Sequence, residues 1–199
     1  MQNHLFDIKN GTDTHTWLPK EQYAEVPNNF EHGVLYMCSW TAVIIEASEY
    51  LINNVGLSVS DCAFIDVGCG KGKVLCVWSK FFSQHSTRLL VGIDYSRQLL
   101  QACKSNLEVM AAQNYELIHA DASTVSLQFG RSTNVFYLYN PFDEVILKKV
   151  IANMASHPSY VIYNNPQHLD LFVDSGFSVI KEQKSWHPIG EFAILSRLK

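Results

Sequence analysis

The chain has 199 residues, 47% of them hydrophobic and 17% charged, enough for one domain with a substantial core. Its formal net charge of −4 supplies no overall basic field to draw it to nucleic acid or an anionic membrane. Five cysteines (Cys38, Cys62, Cys69, Cys76, Cys103) form no CxxC pair and no Cys/His ligand spacing, which argues for reduced thiols and against a metal.

The opening MQNHLFDIKNGTDTHTW has no cationic start leading into an apolar stretch, and no uncharged apolar run approaches the ~20 residues that span a bilayer. A cytoplasmic protein without membrane contact is expected. Residues 1 to about 30 are polar, Asn-rich and broken by Pro19 and Pro27, the marks of an irregular arm. From Gly33 to about Val55, Val34, Leu35, Met37, Cys38, Val43, Ile44, Ala47, Leu51 and Ile52 recur at helical spacings, and Asn53, Asn54 and Gly56 end the helix.

From there strands alternate with helices. CAFIDVG (62–68) reads as a buried strand and GKVLCVWSKFF (72–82) as a helix. RLLVGID (88–94), YELIHAD (115–121), TNVFYLYN (133–140) and SYVIYNN (159–165) are further strands. Helices are predicted over 96–112, 143–156 and 167–176. The tail carries two more strands around Trp186 to Gly190, antiparallel because no helix separates them. This pattern predicts a mostly parallel α/β sheet covered on both faces. Residues 1–55 form an arm and helix packing on a core of 56–199, one structural unit in all.

The sharpest motif is FIDVGCGKGKVL. Gly68, Gly70 and Gly72 stand between a strand and a helix, where missing Cβ atoms permit a tight turn and close ligand approach. The G-x-G-x-G spacing differs from the dinucleotide G-x-G-x-x-G, which excludes a nucleotide-dependent oxidoreductase. Asp66, two residues ahead of the first glycine, suits a cationic group such as the α-ammonium of S-adenosylmethionine. Asp94 closes the second strand, where a carboxylate can accept both ribose hydroxyls, and Asp121 closes the third, facing an adenine amine. Any one of these acids also reads as a cap of the turn that follows it. Three at the same phase point to one crevice.

These residues resemble a class I S-adenosylmethionine-dependent methyltransferase from about residue 33 to the C-terminus. FIDVGCGKG is similar to that superfamily's first motif, VGIDYS to its second and HADAS to its third. YLYNPFDE and VIYNNPQH resemble a narrower bacterial group. The resemblance implies a Rossmann-like seven-stranded sheet of order 3-2-1-4-5-7-6, strand 7 antiparallel, with an N-terminal helical lid. It also implies that Gly68, Gly70 and Gly72 lie against the methionine half of the cofactor and that Asp66 acts on its ammonium. Asp94 would hold the ribose, Tyr95 would pack near the adenine, and Asp121 and Ala122 would meet its edge. Tyr36 and Ser39 would touch the methionine end, and His32 is a candidate base.

The fourth strand runs into Asn140-Pro141-Phe142. In amino-methyltransferases a D/N-P-P-Y/F tetrad stands here, its amide and a carbonyl accepting from the target NH2 while the ring stacks on a planar substrate. The second proline is missing in this chain, so the ring is displaced by one residue. Asn140 equally reads as the cap of the next helix, with Pro141 in its first turn. Trp17, Tyr23, Trp40 and Trp186 are candidates for an aromatic wall. The expected activity is methyl transfer from S-adenosylmethionine to a nitrogen of a protein or small molecule. The rivals are an RNA or DNA base methyltransferase and a non-catalytic S-adenosylmethionine or S-adenosylhomocysteine binding module.

Overall fold

The computed structural model describes residues 2–15, 17, 36–85, 88–129, 131–154 and 157–198. Seven strands form one sheet: β1 (Cys62–Val67), β2 (Leu89–Asp94), β3 (Tyr115–His119), β4 (Thr133–Tyr139), β5 (Ser159–Asn164), β6 (Ser178–Gln183) and β7 (Phe192–Arg197). Their order is β3-β2-β1-β4-β5-β7-β6. The first five are mutually parallel, and β7 runs antiparallel between β5 and β6. This is the Rossmann-like order expected from the sequence.

The helices are α1 (Gln2–Asn10), α2 (Thr41–Asn53), α3 (Lys73–Phe81), α4 (Arg97–Val109), α5 (Glu144–Met154) and α6 (Leu169–Asp174). Strand alternation divides the core into two layers. Phe64, Val135, Tyr137 and Ile162 face one side with Trp78 and Phe82 of the α3 region. Ile65, Phe136, Leu138 and Val161 face the other with Ile146, Ile151 and Phe172 of α5 and α6. β1 and β5 are buried along their whole length, which explains the apolar runs Cys62 to Ile65 and Tyr160 to Tyr163 within them.

Two expectations for the N-terminal region need correction. Residues 2–10 are helical rather than irregular. The helix expected from Gly33 begins at Thr41, since residues 37–40 have no helical backbone and Trp40 is extended. Periodicity in Met37 and Cys38 mimicked a helix because both residues alternate against the site instead; Cys38 is buried and Met37 exposed. At the other end Gly56, at φ 77°, closes α2 with its N–H on the Ile52 carbonyl.

Candidate active site

The parallel register gathers the C-terminal ends of the central strands at one edge. Asp66 sits level with Gly92 on one neighbour and Tyr137 on the other, and Asp94 with His119. The glycine turn hangs from β2, since Gly68 and Cys69 donate their N–H groups to the Ile93 carbonyl at 2.9 and 3.0 Å. All three turn glycines have positive φ, which favours glycine. Their faces differ, however. A Cβ on Gly70 would overlap the Tyr36 ring and one on Gly72 the Cys103 sulfur, while Gly68 faces Pro141.

Asp94 holds this corner together. One carboxylate oxygen accepts from Gly70 N–H and the other from Ser96 N–H, each at 2.8 Å. Burial pushes its pKa up to about 6, with those backbone hydrogen bonds pulling the other way. Asp66 is also raised, by burial and by the negative charge of Asp94. Two buried carboxylates so close favour a ligand that brings donors or positive charge. Asp121 accepts from Ser123 N–H at 2.8 Å, so it holds its own turn while remaining partly open.

Two adjoining hollows follow this edge. The larger encloses about 610 Å³ including its open mouth and is lined by Asp94, Tyr95, Asp121, Ala122, Pro141 and Phe142, among others. The smaller, about 250 Å³, is lined by Asp66, Cys38, Ser39, Cys69, Lys73 and Val74. Both share Tyr36, Met37, Gly68 and Tyr139 as common wall. Asp66, Gly68, Asp94, Tyr95, Asp121, Ala122, Tyr36, Ser39, Pro141 and Phe142 are thus brought together. Gly70, Gly72 and Asn140 line neither hollow. His32 and Tyr23 lie outside the described residues.

Asn140 does not cap α5; Asp143 does, accepting from Val145 and Ile146 N–H at 3.0 and 3.2 Å. Asn140 itself has φ 39° and its Oδ1 accepts from the Tyr163 hydroxyl at 2.9 Å. Next door, Asn164 donates to the carbonyls of Ile189 and Glu191 at 2.8 Å each and accepts from Tyr137, a structural tie to the β6–β7 loop. That loop carries Trp186, 87% exposed, packed with Trp40 and His187. Trp17 is exposed as well, but no ring contact joins it to this group among the described residues.

Two wall residues escaped the sequence reading. Tyr139 Oη is buried without a hydrogen-bond partner among the described residues, and burial pushes its pKa well up, so it is a donor rather than a base. Lys73 Nζ is likewise buried and unpartnered. A strand end and a helix start reveal nothing, as sequence, about where such side chains point.

Residues 58–185 match the family described as methyltransferase domain. The chain belongs to that family. Among solved structures, this methyltransferase resembles magnesium protoporphyrin IX methyltransferase from Synechocystis PCC 6803 with bound SAM, at TM-score 0.58 and 15% identity over 78% of this chain and 77% of that one. It is similar to an S-adenosylmethionine-dependent methyltransferase from Clostridium acetobutylicum at TM-score 0.55 and 12% identity, covering 80% and 90% of the two chains. NSun6 from Pyrococcus horikoshii gives TM-score 0.58 and 14% identity, covering 92% of this methyltransferase and 57% of that chain. No curated protein matches. Family and sheet order together identify a class I, S-adenosylmethionine-dependent methyltransferase fold. Among the described residues no helix is long and apolar enough to cross a membrane.

Proposed function

We propose that the protein transfers a methyl group from S-adenosylmethionine to a nitrogen of a protein or small-molecule acceptor. One observation carries the cofactor half of this reading: Asp66, Asp94 and Asp121, far apart in the chain, line two joined hollows along one sheet edge. The residues fit the group, because buried carboxylates need hydroxyl and ammonium partners. Asp94 accepts from the ribose hydroxyls, Tyr95 and Ala122 pack beside the adenine, and Asp121 takes its amine. Asp66 answers the α-ammonium, with Tyr36 and Ser39 at that end. Gly70 and Gly72 contribute indirectly, by letting Tyr36 and Cys103 pack against the turn.

Bound S-adenosylmethionine supplies an electrophilic methyl on a sulfonium. The protein's task is then alignment, which supplies effective molarities on the order of 10⁵ M or more without a strong acid or base. Tyr139, Pro141 and Phe142 line the larger hollow, and Asn140, between them in the chain, does not. Asn140 Oδ1, already oriented by Tyr163, keeps a second lone pair for an acceptor N–H. Phe142 and Pro141 supply apolar wall for a planar group. The exposed Trp186 and its partner Trp40 add a stacking surface on the loop tied to β5. A net charge of −4 disfavours a nucleic-acid acceptor.

The test has two stages. Calorimetric titration with S-adenosylmethionine is expected to give saturable heat below millimolar concentration; no heat there rejects the cofactor. Methyl-labelled cofactor is then incubated with fractionated protein, metabolite and nucleic-acid pools. Label that survives alkaline hydrolysis in a protein or metabolite, and falls at least ten-fold with Asn140→Ala, supports nitrogen transfer. Base-labile ester label, or label confined to nucleic acid, sinks the acceptor assignment and leaves the cofactor assignment standing.

A further inference from the structure

His4 lies in the first turn of α1, and His15 follows that helix after a short turn. His4 Nδ1 and His15 Nε2 face each other at 3.2 Å, their ring centroids 4.8 Å apart and their planes at 62°. On its other side, His15 Nδ1 stands 2.7 Å from Asp7 Oδ2. That oxygen already accepts from the Thr14 and His15 N–H groups at 2.9 Å each, which leaves it no room to carry a hydrogen. His15 Nδ1 is therefore the donor. In the neutral ring Nε2 is then a bare lone pair aimed at His4.

A hydrogen bond from His4 to His15 accounts for this contact in the free protein. The same spacing suits two ligands of one ion, since imidazole nitrogens about 2.0–2.1 Å from a tetrahedral zinc lie about 3.3 Å apart. A carboxylate on the far nitrogen of a ligating histidine is the common outer partner, because it fixes the tautomer and raises the ring's basicity. Asp7 occupies that position, only 4% exposed, and its oxygens are taken up by Thr12, Thr14 and His15 donors, so it orients the ring instead of ligating. Asp13 adds a second carboxylate, with ligand atoms of Asp7, Asp13 and His15 all within 4.8 Å of one another. That side chain is exposed and pairs with Lys71 at 2.8 Å. The cluster differs from ordinary surface acidity in presenting two nitrogen donors at ligand spacing, one of them locked by a buried carboxylate.

We infer that His4 Nδ1 and His15 Nε2 form a site for one divalent transition-metal ion of the class that prefers imidazole, zinc, copper or nickel. Water fills the remaining positions, and Asp7 and Asp13 supply negative charge beside the ion. Its entry displaces the hydrogen shared by the two rings. His4 moves to its other tautomer, with the hydrogen on Nε2, so no proton is lost overall. The ion then closes the loop between residues 4 and 15 and clips α1 to the turn that follows it. Thr14 in that turn gives its carbonyl to the Tyr36 hydroxyl, so the clip fastens the segment that backs the candidate active site. The metal site stands independently of which cofactor the cleft binds.

The experiment titrates zinc chloride calorimetrically into the full chain carrying no affinity tag. One saturable site below millimolar concentration is expected. His4→Ala changes only an exposed position of α1 and should weaken that site at least ten-fold, since losing a ligand costs no less than losing an outer-shell partner. Zinc should raise the Tm of the wild type and slow amide exchange over residues 2–15, and do neither in His4→Ala. Long-range proton–nitrogen correlation of the imidazoles reads the ligands directly: zinc should shift His4 Nδ1 and His15 Nε2 more than any other histidine nitrogen. No saturable binding in the wild type, undiminished affinity in His4→Ala, or shifts confined to other histidines overturns the site.

Discussion

The ring of Tyr36 stands where a side chain on Gly70 would project, and its hydroxyl donates to the Thr14 carbonyl at 2.6 Å. The glycine turn is therefore closed from outside by the N-terminal segment rather than left bare for ligand. Lys71 in the same turn pairs with Asp13 at 2.8 Å, and Asn106 donates to both the Asp13 and Lys71 carbonyls. We expect Gly70→Ala to strain the left-handed backbone at φ 52° and expel Tyr36. The combined loss is about 2–4 kcal/mol, or roughly 5–15 °C in Tm. Calorimetric melting checks the stability, and S-adenosylhomocysteine titration should show binding weakened at least ten-fold. A variant that melts and binds as the wild type removes the Tyr36–Gly70 contact from the account.

Asp94 gives a pH signature of defined sign. Its pKa in the folded protein is about 6, against an ordinary 3.8, so the folded state holds more protons between those values. Stability attributable to Asp94 therefore falls as pH rises from about 4 to about 6, by at most about 3 kcal/mol. Asp66 contributes with the same sign, whereas Asp7 acts oppositely: burial raises it, but hydrogen bonds from Thr12, Thr14 and His15 bring it below its ordinary value. Stability curves for wild type and Asp94→Asn isolate the contribution, their difference shrinking or growing only inside that window. Ribose hydroxyls favour the ionised form, so cofactor binding should release protons near pH 6 and tighten as pH rises through it. Proton release measured in two buffers of different ionisation enthalpy tests this; release identical in Asp94→Asn argues against the ribose contact.

The strands were legible because buried parallel strands write apolar runs, as Cys62 to Ile65 and Val135 to Tyr139 do, while their order came from the family resemblance. The antiparallel end followed from the lack of an α-helix between Gln183 and Phe192, where only a single 3-10 turn stands at Pro188–Gly190. Helix α1 was not legible: its sequence QNHLFDIKN is mostly polar, and its place depends on contacts far along the chain, such as Phe6 beneath Lys73. The carboxylates of the site could be read from their phase at strand ends. Tyr139 and Lys73 could not, since one looked like the last residue of a core strand and the other like a solvated helix start. Asn140 shows the opposite failure. Its cap reading was chemically sound, but Asp143 three residues later does that work.

Tyr139 separates stability from binding. Its buried hydroxyl has no hydrogen-bond partner among the described residues, so Tyr139→Phe removes an unpaired polar group and leaves the ring in place. We expect the free protein to gain up to about 1 kcal/mol, roughly 2–4 °C in Tm. In the liganded state the hydroxyl meets the wall shared by both hollows. Affinity for S-adenosylhomocysteine should fall about three- to ten-fold, so the ligand-induced rise in Tm becomes smaller than in the wild type. Thermal shift with and without ligand reads both effects in one experiment. A loss of stability without ligand would show that the hydroxyl already has a partner.

The last expectation concerns Asp7, which gathers the N-terminal segment around itself. Its carboxylate accepts from Thr12 Oγ1, Thr14 Oγ1, Thr14 N–H and His15 N–H, and it pairs with His15 Nδ1, all at 2.7–2.9 Å. Asp7→Ala leaves these donors without their acceptor, two of them backbone groups and two of them on the buried Thr14, whose carbonyl accepts from the Tyr36 hydroxyl. We expect a cost of about 2–4 kcal/mol, concentrated in residues 2–15 rather than in the sheet. Hydrogen exchange should show faster amides in α1 and the 11–15 turn, with β1 and β4 protected as before. Because Thr14 anchors Tyr36 and Tyr36 walls both hollows, ligand affinity should fall in step with this local loosening. Uniformly faster exchange across the sheet, or loosening of the segment with undiminished S-adenosylhomocysteine binding, would show that the segment does not support the cleft through Tyr36.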